Sequence, residues 1–180
     1  MTTFSELGLS DSIVSSLTEL GFEEPTPIQN EAIPALLTGA DVLGRAATGT
    51  GKTAAFSLPL LERHVLGQEA DAPLVLVLTP TRELCLQVSE AFHNYGRKAG
   101  VLVTPIYGGQ DSSRQIRALR RGTHVVVATP GRALDHIGRG TLDLTNIKAV
   151  VLDEADERRD LGFADNARRA VFLADRDGGQ

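Results

Sequence analysis

The run Ala46-Ala47-Thr48-Gly49-Thr50-Gly51-Lys52-Thr53 sets glycines, a lysine and a threonine at the spacing of a phosphate-binding loop, with Ala46 in place of the usual first glycine. In such a loop the glycines let backbone N–H groups close around phosphate oxygens at a helix N-terminus. Lys52 can then reach the terminal phosphates, and the Thr53 hydroxyl can ligate Mg²⁺. Much later in the chain the apolar run Ala149-Val150-Val151-Leu152 delivers two carboxylates, Asp153 and Glu154. Asp153 would hold Mg²⁺ through its water shell, and Glu154 would orient and deprotonate an attacking water, because phosphoryl transfer relies on positioning and charge stabilisation. Each feature has a plainer alternative, a glycine-rich turn for the loop and helix N-terminal charges for the acidic pair. Their occurrence on one chain favours nucleotide hydrolysis, with Lys52 and Glu154 as catalytic candidates.

Positioning these residues takes a sheet. Four apolar runs, Leu74 to Leu78, Val101 to Ile106, Val125 to Ala128 and Ala149 to Leu152, are bounded by Gly, Pro, Asp or Thr and read as buried parallel strands. A fifth, weaker candidate is Asp41 to Leu43, which leads into the glycine-rich loop. Helical stretches are expected at Lys52 to Leu66, Thr81 to Arg97, Gln110 to Arg121 and Arg132 to Ile137. Alternating strands and helices predict a three-layer α/β domain with a mostly parallel central sheet. Ser10 is a plausible N-cap for a helix to about Leu20, and Gly21, Pro25 and Pro27 punctuate the chain before a second helix. Residues 1–38 are therefore expected to form an amino-terminal extension packed on a core of residues 39–180.

At 180 residues one compact domain is the default, and the branched aliphatics Leu, Val and Ile rather than aromatics must fill its core. The net charge of −5 excludes a uniformly basic surface that coats nucleic acid, so any such binding must be local. Arginines do cluster, at Arg114, Arg117, Arg120 and Arg121 and again at Arg158, Arg159, Arg168 and Arg169, where a solvated helix face is the simpler account of either cluster. The lone Cys85 cannot form an internal disulfide, and His64, His93, His124 and His136 show no metal-ligand spacing, so structural roles are expected for all five. No leader or apolar span is evident at the amino terminus, which predicts a soluble, cytoplasmic protein with no membrane contact; a monomer is expected.

Further segments carry a family resemblance. Asp153-Glu154-Ala155-Asp156, the loop at Ala46 to Thr53, Pro80-Thr81-Arg82-Glu83-Leu84, Gly108-Gly109 and Thr129-Pro130-Gly131-Arg132 stand in the order of the DEAD-box RNA helicase motifs. Upstream, Phe4 and Gly21-Phe22-Glu23-Glu24-Pro25-Thr26-Pro27-Ile28-Gln29 are similar to that family's adenine-sensing Q motif. The resemblance implies the first RecA-like P-loop domain of an ATP-dependent enzyme that unwinds short RNA duplexes. It implies ATP and Mg²⁺ as cofactors, with Gln29 hydrogen-bonding an edge of adenine and Phe4 stacking on its ring, in preference to GTP. The nucleotide would lie against Phe4, Gln29, Ala47, Thr48, Gly49, Thr50, Gly51, Lys52 and Thr53.

It further implies that Pro80, Thr81, Arg82, Gly108, Gly109, Thr129, Pro130, Gly131 and Arg132 hold the sugar-phosphate backbone of single-stranded or duplex RNA, whatever its sequence. Taken singly, the Gly and Pro segments also fit ordinary turn chemistry after strands. Asp156 would couple ATP state to RNA binding through a Ser-Ala-Thr segment, whose strand in such folds lies between the phosphate-loop strand and the strand before Asp153. No Ser-Ala-Thr occurs in this sequence. Nor does a second RecA-like domain, which in relatives supplies charge-stabilising arginines. Glu157-Arg158-Arg159-Asp160 also departs from the apolar residues usual after the first glutamate. Two other functions stay open: a truncated, non-catalytic nucleotide- or RNA-binding module, and a superfamily 2 ATPase acting on DNA.

Overall fold

Three of the four apolar runs contain no polar residue, and two of them, β1 (Val75–Leu78) and β3 (Val125–Ala128), are buried along their whole length. In the computed structural model, which describes residues 2–47, 49–154 and 161–178, these strands form the centre of a sheet. It is completed by β2 (Val103–Ile106) and β4 (Ala149–Leu152), with every pairing parallel and the order β2-β3-β1-β4. Burial on both faces explains the unbroken valine and leucine content of β1 and β3. Pro105, which cannot donate to a ladder, lies in the outer strand β2, where such a residue is tolerated.

The chain divides into two compact units, residues 1–67 with 91–101, and residues 68–90 with 102–180. The second unit carries the whole sheet. Its core joins Leu76, Leu78, Ile106, Val126 and Ala128 to Ala133 of α6 (Pro130–Gly138) and to Phe163, Ala167, Ala170 and Ala174 of α7 (Leu161–Gly178). The last four recur at helical spacing, and a fully buried Leu, Ile or Phe side chain contributes roughly 1.5–3 kcal/mol. The expectations above include no helix at α7, because small alanines among arginines make a weak apolar stripe. Also in this unit are the first part of α4 (Arg82–Gly96) and all of α5 (Ser112–Arg120), which Asp111 caps by accepting from Ser113 N–H at 2.9 Å.

His124 is buried with both ring nitrogens engaged. Nδ1 accepts from Leu102 N–H at 3.0 Å and Nε2 donates to the Gln68 carbonyl at 3.0 Å, so its partners determine the tautomer.

The first unit holds α1 (Asp11–Glu19), α2 (Pro27–Thr38) and α3 (Lys52–Leu60), the last continuing as a π-helical turn over Leu61–Val65. Ser10 occupies the N-cap position of α1 but makes no side-chain capping bond, whereas its backbone N–H donates to Glu62 Oε2 at 2.9 Å. At the other end of α2, the Arg63 guanidinium donates to the Leu36 and Leu37 carbonyls at 3.2 and 3.3 Å, satisfying acceptors the helix leaves free.

The expected strand at Asp41 to Leu43 is not formed, and Val42 and Leu43 are exposed, Leu43 at 88%. A strand exists only through a neighbour's ladder, and among the described residues nothing pairs with this segment. Of the other four strands and four helices, ends differ from expectation by one or two residues except β3 and β4, which match, and the helix after Lys52, whose expected span takes in the π turn. No helix among the described residues is long and apolar enough to cross a membrane.

Cys85 lies in the first turn of α4, fully buried, and its thiol donates to the Val127 carbonyl at 3.2 Å. Burial pushes its pKa up to about 12, outweighing the hydrogen bonds that favour the thiolate. At neutral pH the reactive thiolate is therefore absent. Native protein is expected to resist a thiol-specific reagent that labels it readily in denaturant. Equal labelling rates in the two conditions would show that Cys85 is accessible.

Candidate nucleotide and RNA site

The sequence from Thr26 to Gln29 is a capping box. Thr26 N–H donates to Gln29 Oε1 at 3.0 Å, which satisfies a donor at the start of α2. The plain role of a helix N-terminal glutamine is thus real, but it is only half of what the side chain does. Gln29 is buried, and its Nε2 donates to the Gly51 carbonyl at 3.1 Å, tying the Q-motif segment to the phosphate loop. A primary amide has two hydrogens and two acceptor sites, so one donor and one acceptor remain for the complementary edge of adenine.

Gly51 has φ of +86°, and a Cβ there would collide with Gln29 Nε2. Glycine is required on both counts, left-handed backbone and close approach. Gly49 is also left-handed at φ +83°, and Thr50 folds back so that its hydroxyl donates to the Ala47 carbonyl at 2.7 Å. The loop opens directly onto the first residues of α3, Lys52 and Thr53, both half-buried. Ala47 is exposed, and Thr48 lies outside the described residues.

Phe4 is a core residue of the same unit. It is 4% exposed and meets the Phe22 ring edge-on at a centroid distance of 6.3 Å. Phe22 in turn meets Tyr95 at 5.8 Å. The expected open face for stacking on adenine is thus not presented, because an apolar ring with aromatic neighbours gains more by packing on them. Residues Leu20 to Glu24 line a shallow depression beside this cluster.

In the second unit, the strand register aligns the remaining motifs. Leu78 pairs with Ala128 and Leu152, and Ala128 pairs with Ile106, so all four strands end in one row. The segments that follow therefore leave the same carboxyl edge in the order Gly108-Gly109, Thr129–Arg132, Pro80–Arg82, Asp153-Glu154, neighbours being ~4.8 Å apart at the strand ends. Gly108, Gly109, Gly131 and Arg82 are exposed, Pro80, Thr81, Thr129 and Arg132 are half-buried, and Pro130 is buried at the start of α6.

The acidic end of the row is held by backbone. Asp153 N–H donates to the Leu78 carbonyl at 3.0 Å, and the Asp153 side chain is buried. Glu154, half-buried, has φ of +53°, left-handed backbone that disfavours an L-residue by about 1–2 kcal/mol. The four residues Asp156, Arg158, Arg159 and Ala155 lie outside the described residues.

Side chains that the sequence reading left without a site role join the other three segments. The Arg82 guanidinium sits 5.0 Å from the centroid of the Tyr107 ring. The Tyr107 carbonyl accepts from Gln115 Nε2 at 2.9 Å, and Gln115 Oε1 lies 3.0 Å from His136 Nε2. His136 Nδ1 is 2.8 Å from the Thr141 hydroxyl, and Arg132 donates to the Gln110 carbonyl at 3.4 Å. Burial holds the His136 pKa below its ordinary value; Arg132 and Arg139 add to that effect and Asp135 opposes it. Because Gln115 Oε1 can only accept, Nε2 carries a ring proton, while the single Thr141 hydroxyl hydrogen lies between two acceptors, Nδ1 at 2.8 Å and the His136 carbonyl at 3.1 Å. Polar types at 115 and 136 gave no sign of burial in the sequence, since Gln115 stands among the exposed arginines of α5 and His136 between the polar Asp135 and Arg139.

The donor types present suit Mg²⁺, a hard cation that takes few protein oxygens and keeps waters and phosphate oxygens around it. Thr53 offers a hydroxyl and Asp153 a carboxylate, and among the described residues no group of three or more His, Cys, Asp or Glu forms a metal cage.

The DEAD/DEAH box helicase family model matches residues 26–175. The DEAD-box ATP-dependent RNA helicase CshA of Bacillus cereus is 54% identical over 92% of this chain and 31% of its own length. The ATP-dependent RNA helicase DeaD of Escherichia coli is 55% identical over 92% of this chain and 26% of its own. This chain therefore spans about a third or less of those relatives. The crystal structure of a DEAD box protein from the hyperthermophile Methanococcus jannaschii superposes with a TM-score of 0.86 at 41% identity, covering 97% of this chain and 47% of that one. With the motifs in order on a parallel sheet and the family model spanning most of its length, this chain belongs to the DEAD/DEAH box helicase family.

Proposed function

We propose that this chain is the ATP- and RNA-binding first RecA-like domain of an ATP-dependent RNA helicase. Residues 1–38 supply the adenine-sensing segment, and residues 39–180 supply the rest of the domain. The observation that carries this function is the strand register, because it brings the starts of three RNA-motif segments and the acidic pair to one edge. Open α/β sheets bind ligands at that edge. A few backbone amides, hydroxyls and arginines there suffice for a phosphate chain, which reconciles RNA binding with a net charge of −5.

In this function Gln29 keeps its bond to Gly51 and offers its remaining donor and acceptor to adenine. Gly49, Gly51 and their neighbours present backbone N–H groups to the phosphates while Lys52 neutralises charge on them. Phe4 would have to expose a ring face to stack on the base. Mg²⁺, when bound, supplies charge stabilisation at the phosphates, with Thr53 and Asp153 as its protein-side oxygens. Glu154 orients the water and takes its proton, and Asp156 relays nucleotide state to RNA. A second RecA-like domain closing over the nucleotide would add arginines worth about 10³ or more in rate. Without it the domain binds nucleotide weakly and turns it over slowly. The lone buried thiol suits a reducing cytoplasmic setting.

Calorimetry of ATP binding is the direct test. Lys52→Ala is expected to abolish detectable binding, and unchanged affinity would remove the loop from its role. In a protein carrying the second domain, Glu154→Gln is expected to keep ATP affinity but lower kcat by about 10²-fold or more, the span of a lost general base. Equal turnover would exclude Glu154 as the base. Affinity for DNA equal to that for RNA of the same sequence would favour a DNA-directed enzyme instead.

A further inference from the structure

The Gly108-Gly109 and Thr129–Arg132 segments follow different strands, and the direct bond between them beyond the strand ends, Arg132 to the Gln110 carbonyl, is long at 3.4 Å and exposed. Two buried side chains span them. Gln115 of α5 is 3% exposed and His136 of α6 is 0% exposed, so neither can touch an RNA backbone. Gln115 holds the Tyr107 carbonyl, immediately before Gly108, while His136 sits one helical turn beyond Arg132.

We propose that the Gln115–His136 hydrogen bond is a positioning device for RNA, setting the distance between the Gly108-Gly109 loop and the Thr129–Arg132 helix start. It rests on the function proposed above and adds residues that act without contacting the ligand. The chemistry is directional: Tyr107 C=O accepts from Gln115 Nε2 and Gln115 Oε1 accepts from His136 Nε2–H, while the Thr141 hydroxyl lies against both Nδ1 and the carbonyl of His136. Every member of the chain has its partner, and a fully satisfied buried polar network specifies one arrangement where an apolar contact would tolerate several. At one end, the Arg82 guanidinium against the Tyr107 ring brings the Pro80–Arg82 segment into the same frame. Three phosphate-holding segments are thereby held in one spacing, which a nucleic-acid backbone of fixed repeat requires.

The test measures fluorescence anisotropy of a labelled single-stranded oligouridine with a non-hydrolysable ATP analogue present, alongside affinity for a fluorescent nucleotide and the thermal midpoint. His136→Leu keeps the volume and removes both ring bonds. It is expected to weaken RNA binding about tenfold, as befits orphaning a buried acceptor in the network. Nucleotide affinity should be unchanged. His136→Gln, whose amide N–H can replace Nε2–H, should recover RNA affinity to within about threefold of the parent. If His136→Leu fails to fold, Gln115→Met removes the same bond from the other side and should show the same selective loss.

Parental RNA affinity in His136→Leu, beside a clear loss in Arg132→Ala, would overturn the positioning role while leaving the RNA surface in place. Equal losses in the Leu and Gln variants, a parallel loss of nucleotide affinity, or failure of both His136→Leu and Gln115→Met to fold would reduce the pair to a fold determinant and overturn it as well. Unchanged RNA binding in Arg132→Ala would instead remove the RNA surface itself, and the positioning role with it.

Discussion

A parallel sheet sends every strand's carboxyl end to the same side, and that constraint decides where this chain can do chemistry. Pro80, Gly108, Thr129 and Asp153 are scattered along the sequence, yet the register places the residues Leu78, Ile106, Ala128 and Leu152 in one row. Everything after that row inherits its order and spacing. The burial of β1 and β3 makes the row rigid, since a register slip in either would turn buried valines and leucines against the wrong layer. The function proposed for this edge would thus be a consequence of core packing. No segment has to find its place independently.

In the other unit a single side chain carries a comparable constraint. Gln29 is committed at one end to the N-terminus of α2 and at the other to the Gly51 carbonyl, so the Q-motif segment and the phosphate loop are one mechanical piece. Gly51 has no alternative residue there: a side chain would need left-handed backbone and would occupy the place of the Gln29 amide. A base recognised through Gln29, as proposed, would consequently be recognised at the loop proposed to meet its phosphates. Phe4 is less committed, because its packing on Phe22 is non-directional and one aromatic contact exchanges readily for another.

How much of this was legible in the sequence depends on what each inference rested on. Val125 to Ala128 and Ala149 to Leu152 are strands at the residues their unbroken apolar, β-branched character marked. Asp41 to Leu43 failed for the opposite reason: its strand character depended on a neighbouring ladder that composition cannot report. Helix α7 was missed because alanines at 167, 170 and 174 bury well yet stand out little among arginines and aspartates. The candidate site was readable where glycine geometry and carboxylates after a strand leave local marks. Gln115 and His136 leave none, since a buried glutamine and a solvated one are the same letter, and only their partners distinguish them.

The two ends of the carboxyl row are built on different principles. At the RNA-motif end, directional bonds through Tyr107, Gln115 and His136 hold the loops, and the residues that make them are sheltered from water. At the acidic end, β4 is one of the two edge strands of the sheet among the described residues. Its residues Ala149 to Val151 are half-buried, Leu152 is 44% exposed, and Glu154 holds a left-handed conformation that L-residues avoid. Such strain persists only where surroundings over-determine it, and it accumulates at sites that act. The proposed hydrolytic pair therefore hangs on the least enclosed strand while the proposed RNA surface is preassembled. A domain arranged in this way would present a ready grip on a phosphate chain and leave its hydrolytic geometry the more responsive to whatever packs beside β4, which is the physical requirement for turnover that waits on closure.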